Sequence, residues 1–206
     1  MKIAVSDLLF PGFRKFGIRP LNTEYGIEFF YEFGHDYYWD EETAVWGDRE
    51  FSIHGPCVAV DLADEANLNY LPAFEATFKY AQKINSQFVV VHTNECLPAD
   101  IKAGQELVIS RLAELLEMAQ KYGVTLVIEN VGLRSKGNVL FTLEEYYALF
   151  ERFPQAMSLI DTGHAHVNGW DIPAVVEKLG SKLFAFHIHD NDGNGDDHLP
   201  VWQGTI

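Results

Sequence analysis

Seven short apolar runs, separated by stretches long enough for a helix, constrain this chain more than any other feature. They are KIAV (2–5), GIEFFYEF (26–33), FSIH (51–54), FVVVH (88–92), TLVIE (125–129), MSLID (157–161) and LFAFHIH (183–189). Short and rich in β-branched and aromatic residues, they read as strands. Helical spacing between them predicts helices over 68–85, 105–122, 142–152 and 172–179. In the second, Leu107, Arg111, Leu115 and Met118 recur with Leu112 and Leu116 beside them, and Thr142 with Glu145 offers a capping box for the third. Residues 34–50, GHDYYWDEETAVWGDRE, read as an aromatic and acidic loop with one short helix. No low-complexity linker or composition shift divides the alternation, which predicts a single α/β domain over 1–206 with parallel strands buried on both faces.

What ends these runs matters more than their number. His54, His92, Glu129, Asp161 and His187 each close an apolar run at its C-terminal side. One histidine in such a place is usually structural, satisfied by a backbone carbonyl. Five in succession are a different matter, because in a parallel barrel the C-terminal ends of the strands converge on one mouth. Five polar side chains aimed at one cavity would be costly to desolvate, and a cation at their centre removes that cost.

The last run leads into HIHDNDGNGDDH (187–198). Asp190, Asp192 and Asn194 before Gly195 copy the first half of a calcium loop, but Val201 stands where the bidentate Glu belongs, and the preceding segment is a strand rather than a helix. The stretch is better read as a loop that carries Asp196 and His198 to the mouth, where DTGH (161–164) adds His164. Imidazole and carboxylate donors without thiolate suit zinc, manganese, iron or cobalt, and the histidine share favours zinc. His35, His166 and His189 fall outside this set. Asp190 reads as a partner that orients an imidazole.

Composition narrows the partners. Thirty acidic residues against fifteen basic ones give a formal net charge of -15, which opposes any ligand held mainly through phosphates. Nucleic acid is therefore not expected as a partner. Neither is a membrane, since no apolar run approaches the roughly 20 residues needed to span one. MKIAVSD reaches Asp7 before a signal-peptide core could form, so a cytoplasmic location is expected. Cys57 and Cys96 are too few for a disulfide framework and lack metal spacing; they are expected to be reduced, buried and without a role.

With these residues in view the sequence resembles the xylose-isomerase-like TIM-barrel superfamily, which holds sugar phosphate isomerases and epimerases together with endonuclease IV. FSIHGPCVAVDL, VVVHTN, LVIENVG, LIDTGHAHVNGWD and HIHDNDGNGDDHLPVWQGTI carry the resemblance. It implies a TIM (β/α) barrel, here with seven strands and the eighth βα unit missing. In the endonuclease branch it implies three metals, one on His54, His92 and Glu129, one on Glu129, Asp161 and His187, and one on His164, Asp196 and His198. In the sugar branch it implies one metal on Glu129, Asp161, His187 and a further glutamate. That glutamate ends the eighth strand, so the chain is expected to be a fragment or compromised in its chemistry.

The leading expectation is a metal-dependent isomerase or epimerase that acts on a small sugar or sugar phosphate by proton transfer next to a carbonyl. Glu129 is its catalytic residue, and zinc or manganese its divalent metal. Trp39, with Tyr37 and Tyr38, is the candidate for covering a sugar ring. The alternatives are an abasic-site endonuclease, disfavoured by an acidic segment after the second strand, and an inactive metal-binding or small-molecule-binding domain. Two unpaired strand edges in a seven-stranded sheet invite pairing with a second copy, so a homo-oligomer is expected.

Overall fold

The computed structural model describes residues 2–9, 17–32 and 34–206. Seven strands run in sequence order across one sheet: β1 (Ala4–Ser6), β2 (Gly26–Phe30), β3 (Phe51–His54), β4 (Val89–Val91), β5 (Leu126–Glu129), β6 (Met157–Asp161) and β7 (Leu183–His187). All six neighbouring pairs are parallel, so each connection must carry the chain back along the sheet. Helices do this from β2 onwards. α1 (Asp36–Trp46) follows β2, α2 (Tyr70–Lys83) follows β3, α3 (Ile101–Tyr122) follows β4 and α4 (Leu143–Arg152) follows β5. The short α5 (Thr162–Val167) and then α6 (Ile172–Leu179) follow β6.

The sheet is rolled. In a flat sheet β2 and β7 would stand five strand spacings apart, about 24 Å. Instead His187 Nε2 lies 2.7 Å from Glu28 Oε1, and the rings of His54 and His187 are 5.9 Å apart. This is the TIM-barrel fold with seven strands among the described residues, and β1 and β7 are its edges.

Local chemistry sets the element ends. Asp100 caps α3 by accepting the Ala103 N–H at 3.0 Å, which starts that helix four residues before the predicted 105, and Gly123 ends it at φ 68°. Thr142 and Glu145 form the expected capping box of α4. The segment 34–50 is more ordered than a loop with one short helix, because α1 takes up 11 of its residues. β2 stops at Phe30, short of the predicted 33, and Phe33 lies outside the described residues. β7 ends at His187 rather than at 189.

The main core fills the space between strands and helices, with Phe29, Trp39, Trp46, Phe74, Phe78, Leu112 and Leu115 among its buried members. A second cluster of Val90, Val127 and Leu159, backed by Phe88, Met157 and Ala185, fills the barrel itself. Arg111 belongs to the apolar face of α3 by spacing, yet its guanidinium donates to the carbonyls of Asp61, Leu62, Asp64 and Glu65 and lies 4.5 Å over the Tyr70 ring. The charge is thereby satisfied, and the loop between β3 and α2 is fixed. Phe74 is fully buried between α2 and β3. Its replacement by Ala is expected to lower the free energy of unfolding by about 3–5 kcal/mol, read from urea titration. Among the described residues no helix is long and apolar enough to cross a membrane.

Candidate metal centre

At the C-terminal end of the sheet, His54, Glu129, Asp161 and His187 are the last residues of β3, β5, β6 and β7, and His92 is the first residue beyond β4. Glu129 is their meeting point. It is almost fully buried, with Oε2 lying 3.0 Å from His92 Nε2 and 3.6 Å from His54 Nε2. Its Oε1 lies 3.3 Å from His187 Nδ1 and 3.6 Å from His164 Nδ1. Burial opposes ionisation of Glu129, but His187 and His92 outweigh it and hold the carboxyl well below its usual range.

Asp161 ends β6 and also caps α5, accepting the His164 N–H at 2.7 Å. Asn130 fixes its backbone, accepting the Asp161 N–H at 2.6 Å and donating to the Asp161 carbonyl at 3.1 Å. His164 in turn sits 3.4 Å from Asp196 Oδ2, and His198 Nε2 lies 3.3 Å from the same oxygen. All eight candidate ligands therefore form one connected cluster.

The hydrogen bonds also fix which ring nitrogens face inward. His54 Nδ1 is 2.9 Å from the Gly55 carbonyl and His92 Nδ1 is 2.6 Å from Glu95 Oε1; both acceptors lack a proton, so both Nδ1 atoms donate. The two Nε2 lone pairs then face each other at 3.1 Å, beside the Glu129 carboxylate. His187 donates from Nε2 to Glu28, which turns its Nδ1 towards Glu129 and Asp161. Lone pairs converging in this way require a positive charge between them, either an added proton or a metal ion. The residues therefore fit a divalent cation.

The charge balance agrees. Burial disfavours protonated His92, but Glu129 and Glu95 outweigh it and hold its pKa up at about 10. Burial likewise opposes His164, which Asp161, Asp196 and Glu129 hold at about 9. Asp196 is desolvated too, yet His164 and His198 push its carboxyl far below the normal range.

Among the described residues, three donor groups have ligand atoms within 4.8 Å of one another: Glu129, Asp161 and His187; His189, Asp196 and His198; and His54, Cys57 and His92. His189 falls outside the sequence expectation yet belongs here. Its Nε2 lies 3.0 Å from both Asp161 oxygens, and its ring occupies the space where a Cβ on Gly163 would come within 2.0 Å. His189 Nδ1 and Asp196 Oδ1 are buried without a hydrogen-bond partner. Glu28 is the second addition, a buried carboxylate on β2 that binds His187 and accepts from Ser52 at 3.1 Å. An acid inside the apolar run GIEFF was its signal in the sequence.

Two expectations are corrected. Trp39 lies in the core between strand and helix, stacked 4.4 Å from Phe29 and tilted against Trp46, so its ring is not available to cover a sugar at the mouth. Among the described residues, Phe30 is an aromatic side chain that borders the cluster, stacked on the His54 ring at 4.0 Å. Asp190 orients no imidazole; its carboxylate accepts backbone N–H groups from Asn191, Trp202 and Ile206 and so ties down the last turn of the chain.

The xylose isomerase-like TIM barrel family matches residues 48–206, and the chain belongs to that family. An uncharacterized protein of Methanocaldococcus jannaschii is 24% identical over 172 residues, covering 80% of this chain and 65% of that protein. Fructoselysine 3-epimerase of Shigella flexneri is 25% identical over 150 residues, covering 72% of this chain and 48% of the enzyme. The match thus spans between about half and two thirds of these relatives' length. Among solved structures, a D-tagatose 3-epimerase-like protein superposes with a TM-score of 0.82 at 22% identity, covering 100% of this chain and 82% of the other.

Proposed function

We propose that this barrel mouth isomerises or epimerises a small sugar or sugar phosphate by moving a proton at a carbon next to a carbonyl, with a divalent metal, zinc or manganese, held by Glu129, Asp161 and His187. The observation that carries the reading is the pairing of the cluster carboxylates. Among the described residues, Glu28, Glu95, Glu129, Asp161 and Asp196 have only histidines as ion-pair partners, with no Lys or Arg among them. Such a mouth attracts a cation and, through it, the oxygens of one small substrate, whereas a long phosphodiester backbone would meet like charge along its length with no Lys or Arg in the cluster to hold it. The epimerase activity of the Shigella flexneri relative supports the same reading.

When bound, the metal would polarise the substrate's carbonyl and hydroxyl oxygens. Glu129, buried at the centre of the mouth where the other side chains converge, is then the group that removes the proton. His187, oriented by Glu28, and Asp161, fixed by Asn130, keep their donor atoms in place. Phe30 offers an apolar wall beside His54 for the face of the sugar.

The second reading, hydrolysis at abasic sites, draws on the additional donor group of His189, Asp196 and His198, since a phosphodiester hydrolase uses several metals. One experiment separates the two. Incubation with a panel of ketoses and their phosphates in deuterated water is expected to place deuterium on the carbon next to the carbonyl, and an abasic duplex is expected to stay intact. Strand cleavage without deuterium exchange would replace the first reading with the second.

A further inference from the structure

Cysteine count gives Cys57 no role, because Cys96 is remote in sequence and exposed. Counted from His54 instead, the spacing is H-x-x-C, a separation common between paired zinc ligands. Gly55 and Pro56 make the turn between the two. Glu32 then holds the returning chain by accepting the N–H groups of Cys57, at 3.0 Å, and Ala59. The thiol is thereby fixed in a buried position beside the two histidines, with its sulfur and one ring nitrogen each of His54 and His92 within 4.8 Å of one another. A second observation concerns the same place: His54 Nε2, on a side chain only 4% exposed, and His92 Nε2 face each other at 3.1 Å beside Glu129 Oε2, each ring committing Nδ1 to another acceptor, so a proton or a cation must lie among the three atoms.

From this geometry we infer that Cys57 supplies a thiolate ligand to a metal ion shared with His54 and His92, with Glu129 Oε2 closing the set. The inference rests on the reading that the mouth binds a divalent metal, and adds to it which metal this part of the mouth selects. A sulfur, two imidazoles and one carboxylate form a four-donor set suited to tetrahedral zinc or cobalt and poorly suited to manganese or magnesium, which prefer oxygen ligands. The Glu129, Asp161 and His187 group has a single imidazole and two carboxylates, so it is the more permissive of the two. Zinc entering the cysteine-containing group displaces the thiol proton to solvent.

Cobalt(II) tests this because a thiolate–cobalt bond gives an intense near-ultraviolet charge-transfer band that imidazole and carboxylate do not. The full chain, stripped with chelator and titrated with cobalt(II), is expected to develop that band. Cys57→Ser and Cys57→Ala should both lose it, and Cys96→Ser should keep it. Both Cys57 variants should also bind zinc more weakly by more than the 10- to 100-fold typical of losing a ligand's outer partner, about one to two decades, with manganese affinity little changed. Folding of each variant is checked by circular dichroism. A cobalt-loaded chain without the band, or a band that survives in the Cys57 variants, overturns the inference and leaves the metal reading standing. Failure of the parent chain to bind cobalt or zinc at all overturns both.

Discussion

Replacing Glu129 with Gln and Asp161 with Asn in one chain is expected to leave the protein folded and nearly free of bound divalent metal. Both changes keep the side-chain shape and remove a negative charge from the same centre. Glu129 divides its oxygens between His92 and His54 on one side and His187 and His164 on the other, so its neutralisation weakens both sides together. Asp161 closes the group formed with Glu129 and His187 and also receives His189. Under the proposed function each is a direct ligand, so the combined loss should exceed the 10- to 100-fold, about one to two decades, that a single outer hydrogen-bond partner costs. Elemental analysis after dialysis against a fixed free metal concentration reads it. Glu129→Gln alone should also slow deuterium exchange by about 10²- to 10⁴-fold, the contribution typical of one positioned base. Undiminished metal content in the double variant would place the ions elsewhere.

The second large effect is on pH. Without a bound metal, the surrounding carboxylates hold the His92 pKa up at about 10 and the His164 pKa at about 9, against 6.5 for an ordinary imidazole. A group whose folded pKa is raised binds its proton more tightly in the native state than in the unfolded chain. Its stabilisation is therefore complete below pH 6.5 and is lost as pH rises through 9 and 10. Urea midpoints of the chelated protein should accordingly fall across that window. Metal binding has the opposite dependence, since the ion must displace those protons. Affinity should rise by about tenfold per pH unit for each proton released, which calorimetry in buffers of different ionisation enthalpy can count. A metal affinity independent of pH between 6.5 and 9 would show that the histidine protons are not displaced.

The sequence shows the fold and most of the cluster because both rest on contrast along the chain. His54, Glu129, Asp161 and His187 each stand where an apolar run stops, and a rolled parallel sheet brings such ends together without any further information. Residues that depend on direction were harder to read. Trp39 and Phe30 are both aromatic and close in sequence, but the alternation of β2 sends Phe29 outward to meet Trp39 and Phe30 inward to meet His54, a distinction that composition does not carry. His189 falls outside a set judged by strand periodicity, whereas the chain leaves β7 after His187 and the absence of a side chain at Gly163 gives the ring its seat. Glu28 looks like one polar step in an alternating strand, and only the curvature that sets β2 against β7 gives it His187 as a partner. Asp190 has the composition of a ligand loop but the surroundings of a hinge pin, with three backbone N–H groups on its carboxylate.

His54, His92, Glu129, Asp161 and His187 each lie at the end of a different strand or, for His92, one residue beyond it. A nascent chain therefore offers them to an ion one at a time, and a zinc-finger route, in which the metal gathers a local segment and drives its folding, is closed to this set. Loop closure must bring distant strands together before an ion held as proposed could gain its ligands, so its loading would follow barrel assembly. The same wiring governs release. Opening of any one of these strands would remove a ligand, so the lifetime of an ion held by this set should track the amides of whichever of the five strands opens most readily, with β7 at the edge of the sheet the first candidate.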